Sequence, residues 1–211
     1  MKLHLTLLAA VAVTAITGSA LAAASLSDVI QKGANADKVM EKNQINFATA
    51  KALGDHCLNE AAAKGVGVSV VILDQFGTVS YYVRGDGQGK TNTDSALWKA
   101  RTVLNTRAPS KAQMNAVRTG NVNEARVIWQ GNFANAGGLP IVVEGQFLGA
   151  IGVGGMAATP PTWSDEICGY NALTAVLGPQ PALLPDMPNP FIVRSSNAGG
   201  GGNRAPGAPN Q

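Results

Sequence analysis

The first clear pattern in the chain is a run of apolar residues at steps of three and four along residues 43–64. This spacing places them on one face of a helix, and most of them are small. Gly65 follows directly, and glycine is the residue that most often ends a helix in a left-handed conformation. We therefore predict a first helix over residues 43–64. At about 100° per residue, His56 lies off its apolar face, roughly opposite Phe47.

Short apolar runs joined by turn residues predict two β-hairpins. The first joins residues 66–73 to residues 78–84. The second joins an apolar run, through Glu144 and Gly145, to a strand made largely of glycine and small apolar residues. Glycine weakens a strand unless something needs the missing side chain. We therefore expect another backbone, a helix or a flat ligand to lie against this strand.

Three further helices are predicted over residues 93–108, 110–119 and 164–177. In the second of these, Ser110 and the glutamine three residues later have the spacing of a capping box. Residues 121–136 carry apolar side chains among asparagines and form either a loop or a short helix.

Asp165 and Glu166 open the last helix, where negative charge is favourable, so we interpret them as helix-capping residues. Taken together, the order of helix, hairpin, helices, hairpin and helix predicts an α+β domain with an antiparallel sheet over residues 43–178.

The two ends of the chain differ from this domain. Residues 1–22 combine an early lysine, an apolar run and the small-residue site Ala20-Leu21-Ala22, which is typical of a secretory signal peptide. The apolar run is too short to span a membrane, although an uncleaved anchor is the alternative. We expect an exported, periplasmic protein. Residues 23–42 are interpreted as a linker, and residues 179–211 as a largely disordered tail rich in proline and glycine.

Composition narrows the possible chemistry. The net charge of +3 is small and no Lys/Arg cluster is present, which argues against a nucleic-acid partner. Removal of the signal peptide would leave His56 as the last histidine. Cys57 and Cys168 both lie on predicted helix faces of small residues. In an oxidising compartment this favours a disulfide, with two buried thiols as the alternative.

Motifs of hydrolytic enzymes are absent from the sequence. There is no G-x-S-x-G, no H-E-x-x-H and no histidine-rich cluster that would hold a metal ion. The glycines at 149–155 lie within a hairpin strand, so they do not form a dinucleotide site. Whether the protein is an enzyme stays open, and a binding role is favoured.

Four segments resemble a known family. Residues 74–77 and 84–87 match D-x-x-G followed by R-x-D-G, and residues 99–102 match K-A-x-T. Residues 137–155 resemble G-G-x-P-I, D-G and G-A-I-G-V-S-G, with Glu144 in place of the aspartate and Gly154 in place of the serine. Residues 165–168 match D-E-x-C. In this order the segments are similar to the GlcG/HbpS-like family, which includes the C-terminal domain of PduO-type proteins.

The resemblance implies a profilin-like, three-layer arrangement in which an antiparallel sheet of about five strands is flanked by helices. It also implies assembly into a homo-oligomer. Characterised members bind haem in sensing or handling roles, so haem is the expected cofactor. An early-helix histidine is the axial ligand in some relatives, which points to His56. The expected ligand position is between the first helix and the glycine-rich hairpin.

The candidate site residues follow from haem chemistry. Haem iron takes an axial histidine, thiolate, methionine or tyrosine. We therefore place His56 first, with a surface or subunit contact as its alternative role. The alternative iron ligands are Tyr81, Tyr82, Met114 and Met156. Three cations could meet a haem propionate, or could be ordinary surface charge: Arg84, Lys99 and Arg101.

Two other hypotheses stay open. One is an enzyme that acts on a small organic acid, with Arg101 holding a carboxylate and Asp74 or Glu144 acting as a base. The other is a structural partner that binds no ligand.

Overall fold

The computed structural model describes residues 23–33, 43–155 and 163–188. The predicted signal peptide lies outside these residues. The helices are α1 (Leu26–Val29), α2 (Phe47–Ala63), α3 (Lys90–Thr106), α4 (Ser110–Arg118), α5 (Glu124–Trp129) and α6 (Asp165–Leu177). The strands are β1 (Ser69–Asp74), β2 (Val79–Arg84), β3 (Gly138–Val143) and β4 (Gln146–Gly154).

The strands form one antiparallel sheet in the order β2-β1-β4-β3. The α+β class and the two hairpins are therefore confirmed. In the described part of the chain the sheet has four strands, whereas about five were predicted. Two hairpins supply four strands, and the N-terminal segment adds only an isolated bridge between Ile30 and Ile45. No helix within the described ranges is long and apolar enough to cross a membrane.

Helices cover both faces of the sheet. One face packs against α2 and α6 through a core that includes Leu53, Ile72 and Ile151. The other face packs against α3 through a smaller core that includes Val71 and Leu73. Successive side chains of a strand point to opposite faces, so β1 contributes to both cores and is buried along its whole length.

The glycines of β4 allow α3 to approach the sheet closely. A Cβ atom on Gly152 would lie 2.0 Å from the carbonyl oxygen of Ala96, and one on Gly154 would lie 2.2 Å from that of Asn92. Real side chains cannot occupy those positions, so only glycine permits this packing. The sequence predicted that a backbone, a helix or a flat ligand lies against this strand, and the structure shows that it is a helix. On its opposite face the strand contacts the α2 and α6 core, which fills the space in which the sequence placed a ligand.

Several helix boundaries differ from the predictions. Helix α3 begins at Lys90 after Gly89, a few residues earlier than predicted. The capping box at Ser110 is wrong, because Pro109 holds the cap position of α4. The Ser110 hydroxyl instead donates to the Asn135 carbonyl (2.6 Å) and accepts from the Gly138 amide (2.9 Å). Residues 124–129 of the ambiguous segment form a short helix.

Both regions that flank the predicted domain also contribute to it. Val29, in the predicted linker, is buried in the larger core. Residues 179–188, assigned to the largely disordered tail, form neither helix nor strand, and three of their carbonyls accept hydrogen bonds from α4. The rest of that tail lies outside the described residues.

Candidate functional site

His56 lies on α2, half-buried, beside the disulfide that joins α2 to α6. The disulfide links Cys57 to Cys168 across 111 residues, with the two Cα atoms 5.2 Å apart. Both cysteines are completely buried. The predicted pairing is therefore confirmed, and it holds the backbone next to His56 against α6.

Glu60 is the acidic residue one helical turn after His56 on α2. The two residues are four apart, so their side chains lie on the same face of α2. Glu60 Oε1 accepts hydrogen bonds from Trp163 Nε1 (2.6 Å) and from Asn171 Nδ2 (2.9 Å). Its other oxygen, Oε2, is buried and has no hydrogen-bond partner among the described residues. This face of α2 therefore carries an imidazole and, one turn further on, a buried carboxylate oxygen that can still accept a hydrogen bond.

An aromatic ring and a cation border the same region. Trp163 is mostly buried, and the ammonium of Lys64 lies 5.4 Å from the centroid of its ring. The side-chain amide of Asn171 comes from α6. The site is thus built from two helices and from the residue that precedes the cap of α6.

The three cations predicted to meet a ligand do not lie beside His56. Arg101 is exposed on α3, on the opposite face of the sheet from α2. Arg84 is exposed at the end of β2 and pairs in register with Ser69, whose hydroxyl contacts Thr93 of α3. Arg84 therefore faces the α3 side of the sheet as well. Within one chain, the sheet separates His56 from both arginines.

Lys99 is almost fully buried. Its ammonium lies 2.6 Å from Asp165 Oδ2 and donates to the Val153 carbonyl at 2.9 Å. A ligand carboxylate would have to displace Asp165 to reach it. We therefore assign Lys99 a structural role between α3 and α6.

The ion pairs at the start of α6 were not predicted from the sequence. Asp165 and Glu166 were interpreted as capping residues, but Ser164 caps the helix and both acids are buried. Glu166 Oε2 lies 2.7 Å from Lys111 Nζ. Asp165, Glu166 and Lys99 all lie in segments that match the family motifs. That match was the only sequence signal for their pairing.

The electrostatics of the Lys111–Glu166 pair reflect its burial. Burial raises the pKa of Glu166, and the nearby Lys111 opposes that shift only in part. For Lys111, burial alone lowers the pKa, but its hydrogen bonds to Asp186 and Glu166 outweigh burial and leave the pKa above its ordinary value. The lysine therefore stays charged, and Glu166 takes up a proton more readily than a carboxyl in water does.

The alternative iron ligands differ in availability. The Tyr81 hydroxyl donates to Asp55 Oδ1 at 2.7 Å, and this bond raises the pKa of Tyr81. The pKa of Asp55 is lowered, mainly by the hydrogen bond from Lys51 and further by the one from Tyr81. Tyr82 is exposed on β2 and Met114 is buried in α4. Met156 lies outside the described residues.

The residues named for the enzyme hypothesis have structural partners. Asp74 is buried, and its Oδ1 accepts from the amides of Phe76 and Thr78 in the turn after β1. Glu144 occupies the tight turn between β3 and β4 with a φ of 50°, and its Oε1 accepts from the Leu26 amide. Both carboxylates are therefore engaged in structural hydrogen bonds, and the structure gives no support for either as a catalytic base.

An open cleft of about 500 Å³ lies between the N-terminal segment and the start of α2. Its lining includes Ile30, Lys32 and Phe47. Phe47 is nine residues from His56, which corresponds to about 13 Å along the helix and to its opposite side. The described lining of the cleft contains no side chain that ligates haem iron. Within the described ranges, no group of three or more metal-binding side chains comes together.

The chain matches one family model over residues 45–168, and the description of that family is haem degrading protein HbpS-like. Because the match covers more than half of the sequence, the chain belongs to the HbpS-like family. No curated protein matches the chain.

Solved structures support this assignment. A double mutant of HbpS from Streptomyces reticuli is 25% identical, with 81% of this chain and 99% of that chain covered and a TM-score of 0.53. A second HbpS structure is 27% identical, with 71% and 99% covered and a TM-score of 0.56. The PduOC:Heme Complex is 19% identical, with 63% and 95% covered and a TM-score of 0.57, which shows a shared fold.

Proposed function

We propose that this protein binds haem, and that His56 is the axial ligand of the iron. The single observation that carries the proposal is that His56 and Glu60 lie one turn apart on α2, and that Glu60 Oε2 is buried without a hydrogen-bond partner among the described residues. A histidine that binds a metal almost always donates its other ring N–H to a carboxylate, a carbonyl or water. Glu60 is the carboxylate that would accept this hydrogen bond. Membership of the HbpS-like family and the haem complex of PduOC support the same conclusion.

The residues around His56 fit a haem group in their chemistry. His56 is half-buried, so it is not closed off from a ligand. Trp163, which is mostly buried, adds an aromatic ring to the surroundings, and the Lys64 ammonium adds a cation beside that ring. Bound haem would supply a redox-active iron, and His56 would be the residue that ligates it. The chain's part is to hold the imidazole and to fix its orientation through Glu60.

Arg84 and Arg101 enter this proposal through a second copy of the chain. They lie on the α3 side of the sheet, away from His56, so one subunit cannot place all three side chains on one haem. In a homo-oligomer, the arginines of one subunit could meet the propionates of a haem that is bound to His56 of another. Within this proposal the protein is exported, because of its N-terminal sequence, and serves a sensing, carrier or accessory role.

A spectroscopic titration with haemin tests the proposal. We expect saturable binding by the wild-type protein, and loss or displacement of its Soret band in His56→Ala. Glu60→Gln should weaken haemin binding by about 10- to 100-fold, because the amide orients the imidazole less strongly than the carboxylate does. Asn59→Ala is the matched control, since Asn59 is exposed on the same helix and should leave the titration unchanged.

The outcomes separate the parts of the proposal. If His56→Ala binds haemin as the wild type does, the axial ligand is another residue, and Tyr82 is the first to test. If the wild type shows no saturable binding at micromolar haemin, the haem function itself is wrong. If oligomers form but Arg84→Ala and Arg101→Ala leave haemin affinity unchanged, the arginines do not contact the propionates.

A further inference from the structure

A second polar site lies at the start of α6, beneath residues 179–188. We name this segment the C-terminal strap. It crosses α4, and three side chains of that helix donate to its backbone carbonyls. Lys111 Nζ bonds Leu184 at 2.9 Å, Asn115 Nδ2 bonds Pro185 at 3.0 Å, and Arg118 bonds Met187 at 3.2 Å. The strap thus covers one face of α4.

The strap covers a buried ion pair. Lys111 is 5% exposed and Glu166 is 3% exposed, and their charged groups are 2.7 Å apart. The strap adds a third charge, because Asp186 Oδ1 also lies 2.7 Å from Lys111 Nζ. The Asp186 side chain is otherwise 80% exposed. A carboxylate from the solvent side therefore reaches a lysine that the rest of the fold keeps away from water.

The strap leaves two buried acceptors beneath it unsatisfied. Glu166 Oε1 and Asn115 Oδ1 are both buried, and neither has a hydrogen-bond partner among the described residues. Buried polar atoms without partners are rare, because each one loses its hydrogen bonds to water without replacement. The strap faces this site with backbone carbonyls and one carboxylate, and all of these are acceptors. It therefore satisfies the lysine but not the two oxygens.

We propose that Lys111, Asn115 and Glu166 form a binding site for a small carboxylate that carries a hydrogen-bond donor next to its carboxyl group. The ligand carboxylate would bind Lys111 in the place that Asp186 now holds. Its neighbouring hydroxyl or ammonium group would donate to Glu166 Oε1 or to Asn115 Oδ1. The strap is then a competitor for the site, with Asp186 as the internal substitute for the ligand carboxylate.

The geometry predicts which ligands the site prefers. Propanoate, lactate and alanine share a three-carbon carboxylate, but only the last two carry a donor on the adjacent carbon. Because the donor would fill a hydrogen bond that the protein leaves empty, lactate or alanine should bind about tenfold more tightly than propanoate. Which of the two binds better decides whether the donor is a hydroxyl or an ammonium group.

Calorimetric titration of the full-length, haem-free protein with these three acids tests the proposal. Asp186→Asn should tighten binding of the preferred acid several-fold, because the competing carboxylate is gone. Lys111→Met should abolish binding in either background. Glu124→Gln is the matched control, since Glu124 is an exposed acid at the start of α5 and should not alter any titration.

Two further measurements keep the test decisive. If Lys111→Met does not fold, Asn115→Ala and Glu166→Gln replace it. The variant of whichever residue accepts the ligand's donor should reduce the preference for the preferred acid over propanoate, and the proposal fails if neither variant does so. Amide hydrogen exchange of residues 183–188 should accelerate when the acid binds, because the strap is displaced. The proposal is overturned if propanoate binds as tightly as lactate and alanine, if none of the three binds Asp186→Asn, or if Lys111→Met folds and still binds.

Discussion

Replacement of Gly152 by alanine is the sharpest test of how the sheet is assembled. In β4, the added Cβ would lie 2.0 Å from the Ala96 carbonyl oxygen and 2.9 Å from the Ala100 amide nitrogen. Ordinary van der Waals contact begins at 3.4 Å. The contact to Ala96 is therefore about 1.4 Å too short, and the atoms concerned are backbone atoms that cannot rotate away. Helix α3 would have to move away from the sheet.

The loss of stability depends on the part of the core that this movement would open. Helix α3 is the cover of the smaller core, and its withdrawal would loosen the packing around Val71, Leu73 and Val103. Overpacking in a well-packed core usually costs 1–3 kcal/mol, and a clash with helix backbone belongs at the upper end, at about 3 kcal/mol. For a domain of this size, that corresponds to a fall in Tm of roughly 6–12 °C.

Gly169→Ala provides a matched control on the opposite face of the same sheet. A Cβ on Gly169 would contact Leu139 and Val153 at 3.5 Å, which is ordinary contact. Because Gly169 lies inside α6, alanine should stabilise the protein, by up to about 1 kcal/mol. Both variants are compared with wild type by urea unfolding followed by circular dichroism. If Gly152→Ala unfolds within about 0.5 kcal/mol of wild type, the close approach of α3 is not what requires glycine there.

Three further predictions concern the links between helices. The Cys57–Cys168 disulfide closes a loop of 111 residues, so its replacement by two alanines should lower the free energy of unfolding by about 4–5 kcal/mol in urea titrations, and an unchanged midpoint would contradict this. Lys99→Met should cost about 3–5 kcal/mol, because Asp165 keeps a buried charge, and adding Asp165→Leu should recover most of the loss. Because its pKa is raised above 4.5, Glu166 contributes stability that is full below pH 4.5 and is lost as the pH rises through the folded-state pKa. The difference in unfolding free energy between wild type and Glu166→Gln should therefore fall as the pH rises above 4.5, and a constant difference would refute the shift.

The two polar sites lie at different parts of α6 and are held by different contacts. The His56 site lies between α2 and α6, where the disulfide fixes the helices against each other. The Lys111 site lies between α4, the start of α6 and the C-terminal strap, where hydrogen bonds to extended backbone supply the contact. Extended segments at the end of a domain open more readily than packed helices. The proposed haem site, next to a disulfide, and the proposed carboxylate site, beneath a displaceable cover, are therefore compatible in one small domain.

Much of the local structure was determined by the sequence alone. The periodicity of residues 43–64 predicted α2, and the alternation of apolar runs and turn residues predicted both hairpins. The turn at Glu144 and Gly145 could be predicted because such tight turns need two residues with positive φ. The structure gives φ values of 50° for Glu144 and 77° for Gly145. The disulfide was predicted because two small-residue faces let α2 and α6 approach closely. Each of these features depends on neighbours along the chain or on one simple steric condition.

Only the tertiary structure decided which distant residues meet. Helix packing places α2 and α3 on opposite faces of the sheet, and this separates His56 from Arg101 although both lie on predicted helices. Lys99 pairs with Asp165, 66 residues away in the sequence, and Lys111 pairs with Glu166 and with Asp186 of the strap. These contacts form because helix packing brings the segments together. A charge near a helix end looks the same in sequence whether it caps the helix or enters a buried pair. Burial and partner are properties of the assembled fold, so no local pattern could supply them.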